Sequence, residues 1–403
     1  MEEGIVIVGA GIAGLATALA LHRMGIRSLV LESADSLRSS GFGFMAWPNA
    51  WKALDALGIG DTLRGTHIRL QGIVAGSNVT GELVSEKSYK NKDRPNGYHE
   101  VRCMKRKELV EALSGDLPNG TIRFSSKLVS IQESGHLKLL HLADGTTIKA
   151  KVLIGCDGVN SVVAKWLGFG KPAYARRSSI RGYAHFESGH GFVHKGFQFH
   201  GNGIRVGYNP CDEQTCYWFF TWTPSNEDKV IGNDPEKAKE FVLSTIGNVP
   251  DQLLDVIAKT GPRTYASPMR FRYPWELLWG NISKDNVCIA GDALHPMTSD
   301  VGQGANMALE DGVILARRLA EALLPRKADE EGEFERIRSG LSKFGEERRW
   351  RSFVMITTAY VIGYIQQSNW WVMKFVKDKF LSPVLGKLLL SRADFDCGEL
   401  IKI

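Results

Sequence analysis

The chain has 403 residues, 43% of them hydrophobic, which is enough for two domains or one elaborated one with a full core and excludes disorder as the default state. Its formal charge of +6 is scattered, with no basic cluster and no nucleic-acid motif, so the balance allows mild steering of anionic substrates and points to no nucleic-acid partner. The six cysteines include no C-x-x-C pair, and three sit in apolar runs, so a reducing, cytoplasmic setting is the plain expectation; the first strand starts near residue 4, and a targeting segment already removed is left open.

In chain order, residues 4–8 form a short apolar run, Gly9-Ala10-Gly11-Ile12-Ala13-Gly14 follows at once, residues 15–23 carry helical apolar spacing, and residues 28–31 form a second apolar run closed by Glu32. This is the pattern of a βαβ unit that holds a dinucleotide. The first glycine permits the tight turn, the second lets backbone N–H groups approach a pyrophosphate at the helix N-terminus, and the third lets the helix pack closely on the sheet. Glu32, 18 residues past Gly14, is placed to accept hydrogen bonds from an adenosine ribose and disfavours a 2′-phosphate, which leaves FAD or NAD. The alternative is a glycine-rich turn in another α/β protein.

Residues 33–40 form a polar loop containing Arg38. Beyond it Pro48 is placed to open a helix carrying Trp51, Leu54 and Leu57, which Gly58 stops. Glycines at 41 and 43 would let this backbone approach a flat ring system that Trp47 could wall; a plain loop and surface helix is the alternative. Residues 67–101 read as short antiparallel strands of another sheet, and residues 102–114 return to helical spacing with Arg106 in the first turn. From 121 to 156 the pattern is four strands around the hairpin turn Asp144-Gly145, the last of them, 151–156, apolar enough for a buried parallel strand. Residues 176–284 read as a mostly antiparallel sheet rich in aromatics, interrupted by helices at 235–247 and 250–259. Then come a buried strand at 286–290, a helix at 304–323, a charged linker at 325–333 and a helical remainder.

Three distant stretches share one design, an apolar strand running into a small residue and an acid or a helix start: residues 9–14, Gly155-Cys156-Asp157-Gly158, and Ala290-Gly291-Asp292-Ala293-Leu294-His295-Pro296. In an open parallel sheet such ends line one crevice, and a dinucleotide long enough to need all three is FAD. Asp292 is placed for the ribityl chain. The run through Gly302, Gly304, Ala305 and Asn306 points a helix N-terminus at whatever lies in front of it, which stabilises negative charge.

In this order and at these distances, these stretches resemble the single-component, group A FAD-dependent aromatic monooxygenases, relatives of para-hydroxybenzoate hydroxylase, salicylate hydroxylase, 3-hydroxybenzoate 6-hydroxylase and zeaxanthin epoxidase. Trp47-Pro48-Asn49-Ala50 and the stretch 364–368 look closest to the plant branch. The resemblance implies an α/β fold: a Rossmann-like FAD-binding domain of the para-hydroxybenzoate hydroxylase fold (residues 1–66, 102–175 and 285–325), a mostly antiparallel β substrate domain (67–101 and 176–284) and a C-terminal helical region (326–403). By it, Gly9, Gly11, Ile12, Ala13, Gly14, Glu32, Arg38, Arg106, Asp157, Asp292, Gly302, Gly304, Ala305 and Asn306 bind FAD, while Trp47, Tyr217, Phe219 and Pro296 face the substrate. Lys165 keeps the charge that ends the Asp-Gly motif, and Ser299 replaces a proline common in the Gly-Asp motif.

The implied reaction has NAD(P)H, a transient co-substrate, reduce the flavin; O2 then forms a C4a-hydroperoxide whose distal oxygen passes to a small aromatic or other electron-rich substrate, by hydroxylation or oxidative decarboxylation. Epoxidation of an isoprenoid-like substrate is the alternative within enzymes. A non-catalytic prenyl or protein binder on the same fold, as in Rab GDP-dissociation inhibitors, is the alternative outside them. No side chain need be a nucleophile; His295 and Tyr217 are the candidate bases, with loop capping the favoured role for His295. His190, His194 and His200 read as a sheet face rather than a zinc site, so no metal is expected. Residues 352–373 carry no charge, but polar residues interrupt them; a helix covering the catalytic domains is expected, with peripheral membrane contact through Trp370, Trp371 and Phe375 the residual alternative. Nothing in the sequence selects an oligomeric state.

Overall fold

The computed structural model describes residues 2–37, 43–91, 97–224, 234–261, 264–324, 329–367 and 390–401. Arg38, Trp370, Trp371 and Phe375 lie outside the described residues. The chain opens as β1 (Glu2–Val8), α1 (Ile12–Arg23) and β2 (Leu29–Leu31), and continues through β3 (Gly43–Ala46) into α2 (Pro48–Ala56). Pro48 stands in the first turn of α2, where a missing N–H costs nothing. After α3 (Gly60–Thr66) come β4 (Gly72–Ser77) and β5 (Leu83–Ser88).

Residues 102–114, expected as one helix, divide in two. β6 (Arg102–Lys105) pairs antiparallel with β3, and α4 (Arg106–Gly115) begins at Arg106. Four residues are too few for their spacing to separate strand from helix, and the pairing with β3 decides it.

Next are β7 (Ile122–Arg123), β8 (Leu128–Ser134), β9 (Leu137–Leu142) and β10 (Thr147–Gly155). Asp144-Gly145 therefore follows three strands and precedes one. β10 changes character along its length: up to Lys151 exposed and buried residues alternate and the strand pairs antiparallel with β9, whereas from Val152 every residue is buried. That second half is what a strand flanked on both sides and covered on both faces requires.

The chain then runs through α5 (Val162–Trp166), β11 (Ala173–His185), β12 (Lys195–Gly201), β13 (Ile204–Pro210) and β14 (Thr215–Trp222). It continues with α6 (Pro235–Thr245), α7 (Asp251–Ala258), β15 (Tyr265–Phe271), α8 (Glu276–Trp279), β16 (Ser283–Lys284) and β17 (Val287–Ile289). Two long helices follow, α9 (Gly304–Leu323) and α10 (Glu330–Gln367), the latter starting inside the stretch expected to be a linker.

The first sheet runs β16-β17-β10-β1-β2-β7, with the β8–β9 hairpin joined through β9 to β10; β17, β10, β1, β2 and β7 are mutually parallel. α1 is buried along residues 13–21 and packs against α9. The second sheet runs β15-β11-β14-β13-β12-β4-β5. It departs from the antiparallel expectation at one place: β4 joins β12 in parallel, because the intervening chain passes through the first sheet before returning. Among the described residues no helix is long and apolar enough to cross a membrane.

Candidate functional site

The site is built by register. Val8 pairs with Leu31 on one side and Gly155 on the other, and Gly155 pairs with Ile289, so four parallel strands end on one line. Backbone hydrogen bonds continue past those ends: Gly9 N donates to Leu31 O at 2.7 Å, Cys156 N to Val8 O at 2.8 Å, and Ala290 N to Gly155 O at 2.9 Å. The three stretches singled out in the sequence therefore leave the sheet side by side, at the end where open α/β sheets bind ligands.

At the turn after β1, Gly9 has φ +103°, and a methyl group on Gly14 would collide with the Gly9 carbonyl and come within 3.3 Å of Cys156 Cβ. A methyl on Gly11 would meet no protein atom within 4 Å. One position is open and its neighbours are shut. α1 begins with no side-chain cap and no acid in its first turn, and α9 does the same, so two helix N-termini keep unspent N–H groups and positive dipole ends. Both border one cavity of about 1370 Å³, lined by Gly11, Ile12 and Ala13 on one side and Gly302, Gly304 and Ala305 on another.

Arg106 and Asp292 line the same cavity. Asp292 keeps free surface beside it; desolvation by the surrounding protein raises its carboxyl, while His295 and Arg106 pull it back. Four further predicted residues are tied to their neighbours by hydrogen bonds. Glu32 accepts from Ala10 N and Ala34 N, both at 2.9 Å, beside the turn after β1. Asp157 accepts from Ser161 Oγ at 2.5 Å and Val162 N at 2.6 Å, capping the turn into α5. Asn306 accepts from Trp47 N at 2.9 Å and donates to Met45 O and Gly302 O, which ties the 45–47 backbone to the start of α9. His295 is fully buried and meets Asp311 at 2.6 Å, away from the cavity lining.

The second sheet supplies the opposite wall through strand alternation. Cys216, Trp218, Phe220 and Trp222 of β14 enter a core covered by α6 and α7, so Tyr217 and Phe219 turn the other way, into the cavity with Trp47 and Pro296. Burial, offset in part by Arg181, pushes the Tyr217 phenol up to about 12, which keeps it a proton donor at neutral pH rather than a base. Over Phe219 lies Arg205, 4.9 Å from the ring centroid, donating to Gln198 Oε1 and to Asp300. Asp300 also takes both guanidinium nitrogens of Arg177 at 2.8 Å, and its side chain is wholly buried. Sequence reading missed this Arg177–Asp300–Arg205 set. Of the three histidines of the rejected zinc reading, His190 bonds to Asp212 O at 2.6 Å and His194 to Glu213 at 3.3 Å; among the described residues no group of three or more ligands could hold a metal.

A family model described as an FAD binding domain matches residues 2–332. The chain belongs to the FAD-dependent aromatic monooxygenases. It is 51% identical to Monooxygenase 2 of Arabidopsis thaliana over 99% of both chains, and 36% identical to Monooxygenase 1 of the same plant over 99% of this chain and 100% of that one. It is 30% identical to a 3-hydroxybenzoate 6-hydroxylase of Klebsiella oxytoca over 78% of this chain and 79% of the relative. Among solved structures it superposes on Klebsiella pneumoniae HpxO complexed with FAD and uric acid, with a TM-score of 0.82 at 21% identity over 99% and 98% of the two chains, a likeness of fold. The flavoprotein thus takes FAD as its cofactor, and NAD(P)H as co-substrate is typical of its family.

Behind the Gly291–Asp292 turn of this monooxygenase lies a buried ion cluster. Asp311 of α9 accepts from Gly291 N at 2.7 Å and His295 Nε2 at 2.6 Å through one oxygen, and from Arg348 Nε of α10 at 2.7 Å through the other. Glu310 beside it takes Arg348 at 2.8 Å, Arg351 and Asn49. Burial alone would raise the Asp311 carboxyl, but the His295 and Arg348 charges and these hydrogen bonds outweigh it and hold it at about 2. A carboxyl depressed below its unfolded value of about 3.9 stabilises the fold fully above that value and loses the contribution as pH falls toward 2. Acidification from about pH 5 to 3 is expected to remove about 1 kcal/mol through this group, read as a larger fall in urea midpoint for the wild type than for Asp311→Asn. Parallel falls would show that Asp311 is not the source.

Proposed function

We propose that the chain hydroxylates, or oxidatively decarboxylates, a small aromatic substrate held between the flavin and the wall of Tyr217, Phe219 and Trp47. The observation that supports this most is that one cavity joins the strand ends of the first sheet to an aromatic face of the second. FAD, once bound and reduced by NAD(P)H, supplies the oxygen chemistry.

The residues present suit that cofactor. The space at Gly11 and the uncapped start of α1 fit the pyrophosphate, Arg106 fits a phosphate or ribityl oxygen, and Asp292 fits a ribityl hydroxyl. The uncapped start of α9 at Gly304 and Ala305 fits the electron-rich pyrimidine edge. Protein duties are then to seat the substrate and to keep water out, since water in the site diverts reducing equivalents to peroxide. Pro296, packed in the loop between Asp292 and α9, and the ring of Tyr217 border the space where the substrate sits. The flat rings favour an aromatic over an isoprenoid substrate, and family membership sets aside the non-catalytic binder.

Screening phenols and aromatic acids tests the reading: some should accelerate NAD(P)H oxidation and yield an oxygenated product, whereas rapid NAD(P)H consumption with peroxide as the sole product from every aromatic would sink it. Tyr217→Phe is expected to lower kcat/KM about tenfold through lost positioning. It should leave the pH profile unchanged between about pH 6 and 9, because the phenol stays protonated throughout. Loss of an ionising limb in that profile would reinstate Tyr217 as the base.

A further inference from the structure

The family match ends at residue 332, yet α10, which lies almost wholly beyond it, places Ile362 and Ile365 in the cavity lining and sends Arg348 to the acids behind the Gly291–Asp292 turn. Arg348 is fully buried, 37 residues from the Asp311 it meets. Its guanidinium lies between two carboxylates, Glu310 Oε2 at 2.8 Å and Asp311 Oδ1 at 2.7 Å. The other oxygen of Asp311 holds the backbone amide of Gly291 and the ring of His295, which bracket Asp292. We propose that Arg348 is a positioning residue for FAD: it acts through Asp311 to fix the Gly291–His295 turn, so that the catalytic domain's cofactor site is complete only with the C-terminal helix docked.

Charge accounting supports this. Two adjacent buried carboxylates, Glu310 and Asp311, face each other's field, and a buried carboxylate persists only beside compensating charge and donors. Arg351 serves Glu310 from the outer side. Asp311 has Arg348 as its permanent cation. Among the described residues, the other acidic groups facing Asp311 are Glu310, Asp292 and the thiols Cys156 and Cys288, all of which can only add negative charge. Without Arg348, Asp311 keeps the Gly291 amide and the His295 ring but no permanent cation, and the turn that carries Asp292 loses its tie to α10.

The test uses the full-length protein stripped of FAD and titrated with FAD at neutral pH, followed by quenching of flavin fluorescence, with thermal unfolding of the apoprotein in parallel. Arg348→Met is expected to weaken FAD binding about fiftyfold. Arg348→Lys keeps a permanent cation but replaces the fork with a point charge. It should bind about fivefold more weakly than the wild type, a partial rescue of the methionine variant. Should Arg348→Met fail to fold, the lysine variant decides alone: a fivefold loss supports the proposal. A folded variant of either kind with wild-type Kd overturns it, even if its apoprotein melts earlier, because Arg348 would then hold the fold and not the turn.

Discussion

Gly14→Val is expected to yield protein without the flavin absorption near about 450 nm and with a lowered unfolding midpoint, whereas Gly11→Ala should fold with the stability of the wild type and lose only cofactor affinity. The two glycines sit three residues apart in one motif, which assigns Gly11 to pyrophosphate approach and Gly14 to helix packing but does not fix what each costs in stability. Their surroundings do. A side chain on Gly14 would be driven into the Gly9 carbonyl and against Cys156 Cβ. Neither can yield, since Gly9 is fixed by φ +103° and by its hydrogen bond to Leu31, and Cys156 by its bond to Val8. Overpacking a closed contact of this kind costs about 1–3 kcal/mol or more and shifts α1 off the sheet. At Gly11 an added methyl meets no atom of the protein and occupies space at the uncapped start of α1, so the loss should appear as an FAD Kd at least about tenfold higher, with the apoprotein midpoint unchanged. Equal effects of the two substitutions on apoprotein stability would contradict the assignment of one to packing and the other to ligand approach.

The same contrast shows what the sequence reveals and what it hides. The βαβ unit is legible because each requirement is local: an apolar strand, a glycine turn and a helical period all lie within thirty-odd residues, and the register of β1, β10 and β17 then brings distant copies of that design together. Tyr217 and Phe219 are legible for a similar reason, since residues two apart on a strand must share a face. Glu32, Asp157 and Asn306 are harder. A carboxylate at a strand end suits either a ligand hydroxyl or a nearby amide, and the fold spends Asp157 on Ser161 and Val162 and Asn306 on Met45, Trp47 and Gly302. His295 differs again, because its favoured role in holding a loop depends on Asp311, sixteen residues away on another element.

The buried ion pairs were not legible, for a physical reason. Arg177 and Asp300 are 123 residues apart, and Arg348 and Arg351 lie 37 and 41 residues beyond the acids they meet. One local signal was available: Glu310 and Asp311 fall between Leu309 and Val313 on a helix buried nearly all round, where an unpaired acid is not tolerated, so each required a partner from elsewhere in the chain.

Asp300→Ala should be among the most damaging single substitutions in the cavity wall, lowering stability by about 3–5 kcal/mol, and Asp300→Asn should cost less but impair coupling. The carboxylate has no solvent exposure, takes both nitrogens of Arg177 and one of Arg205, and sits in the turn leading to Gly302 at the head of α9. Removing it strands two guanidinium groups at once, and burial already lowers the Arg205 pKa against the pull of Asp300. Asparagine preserves the shape but cannot neutralise either cation, so Arg205 should leave its place over Phe219 and open the substrate wall to water. The expected signature is a lower urea midpoint together with retained NAD(P)H oxidation in which more of the oxygen consumed ends as peroxide, measured with an oxygen electrode before and after adding catalase. An Asp300→Asn protein with wild-type midpoint and undiminished product yield would show that Arg177 and Arg205 are held by the rest of the cavity wall, and that the ion set is a consequence of the fold there and not a cause of it.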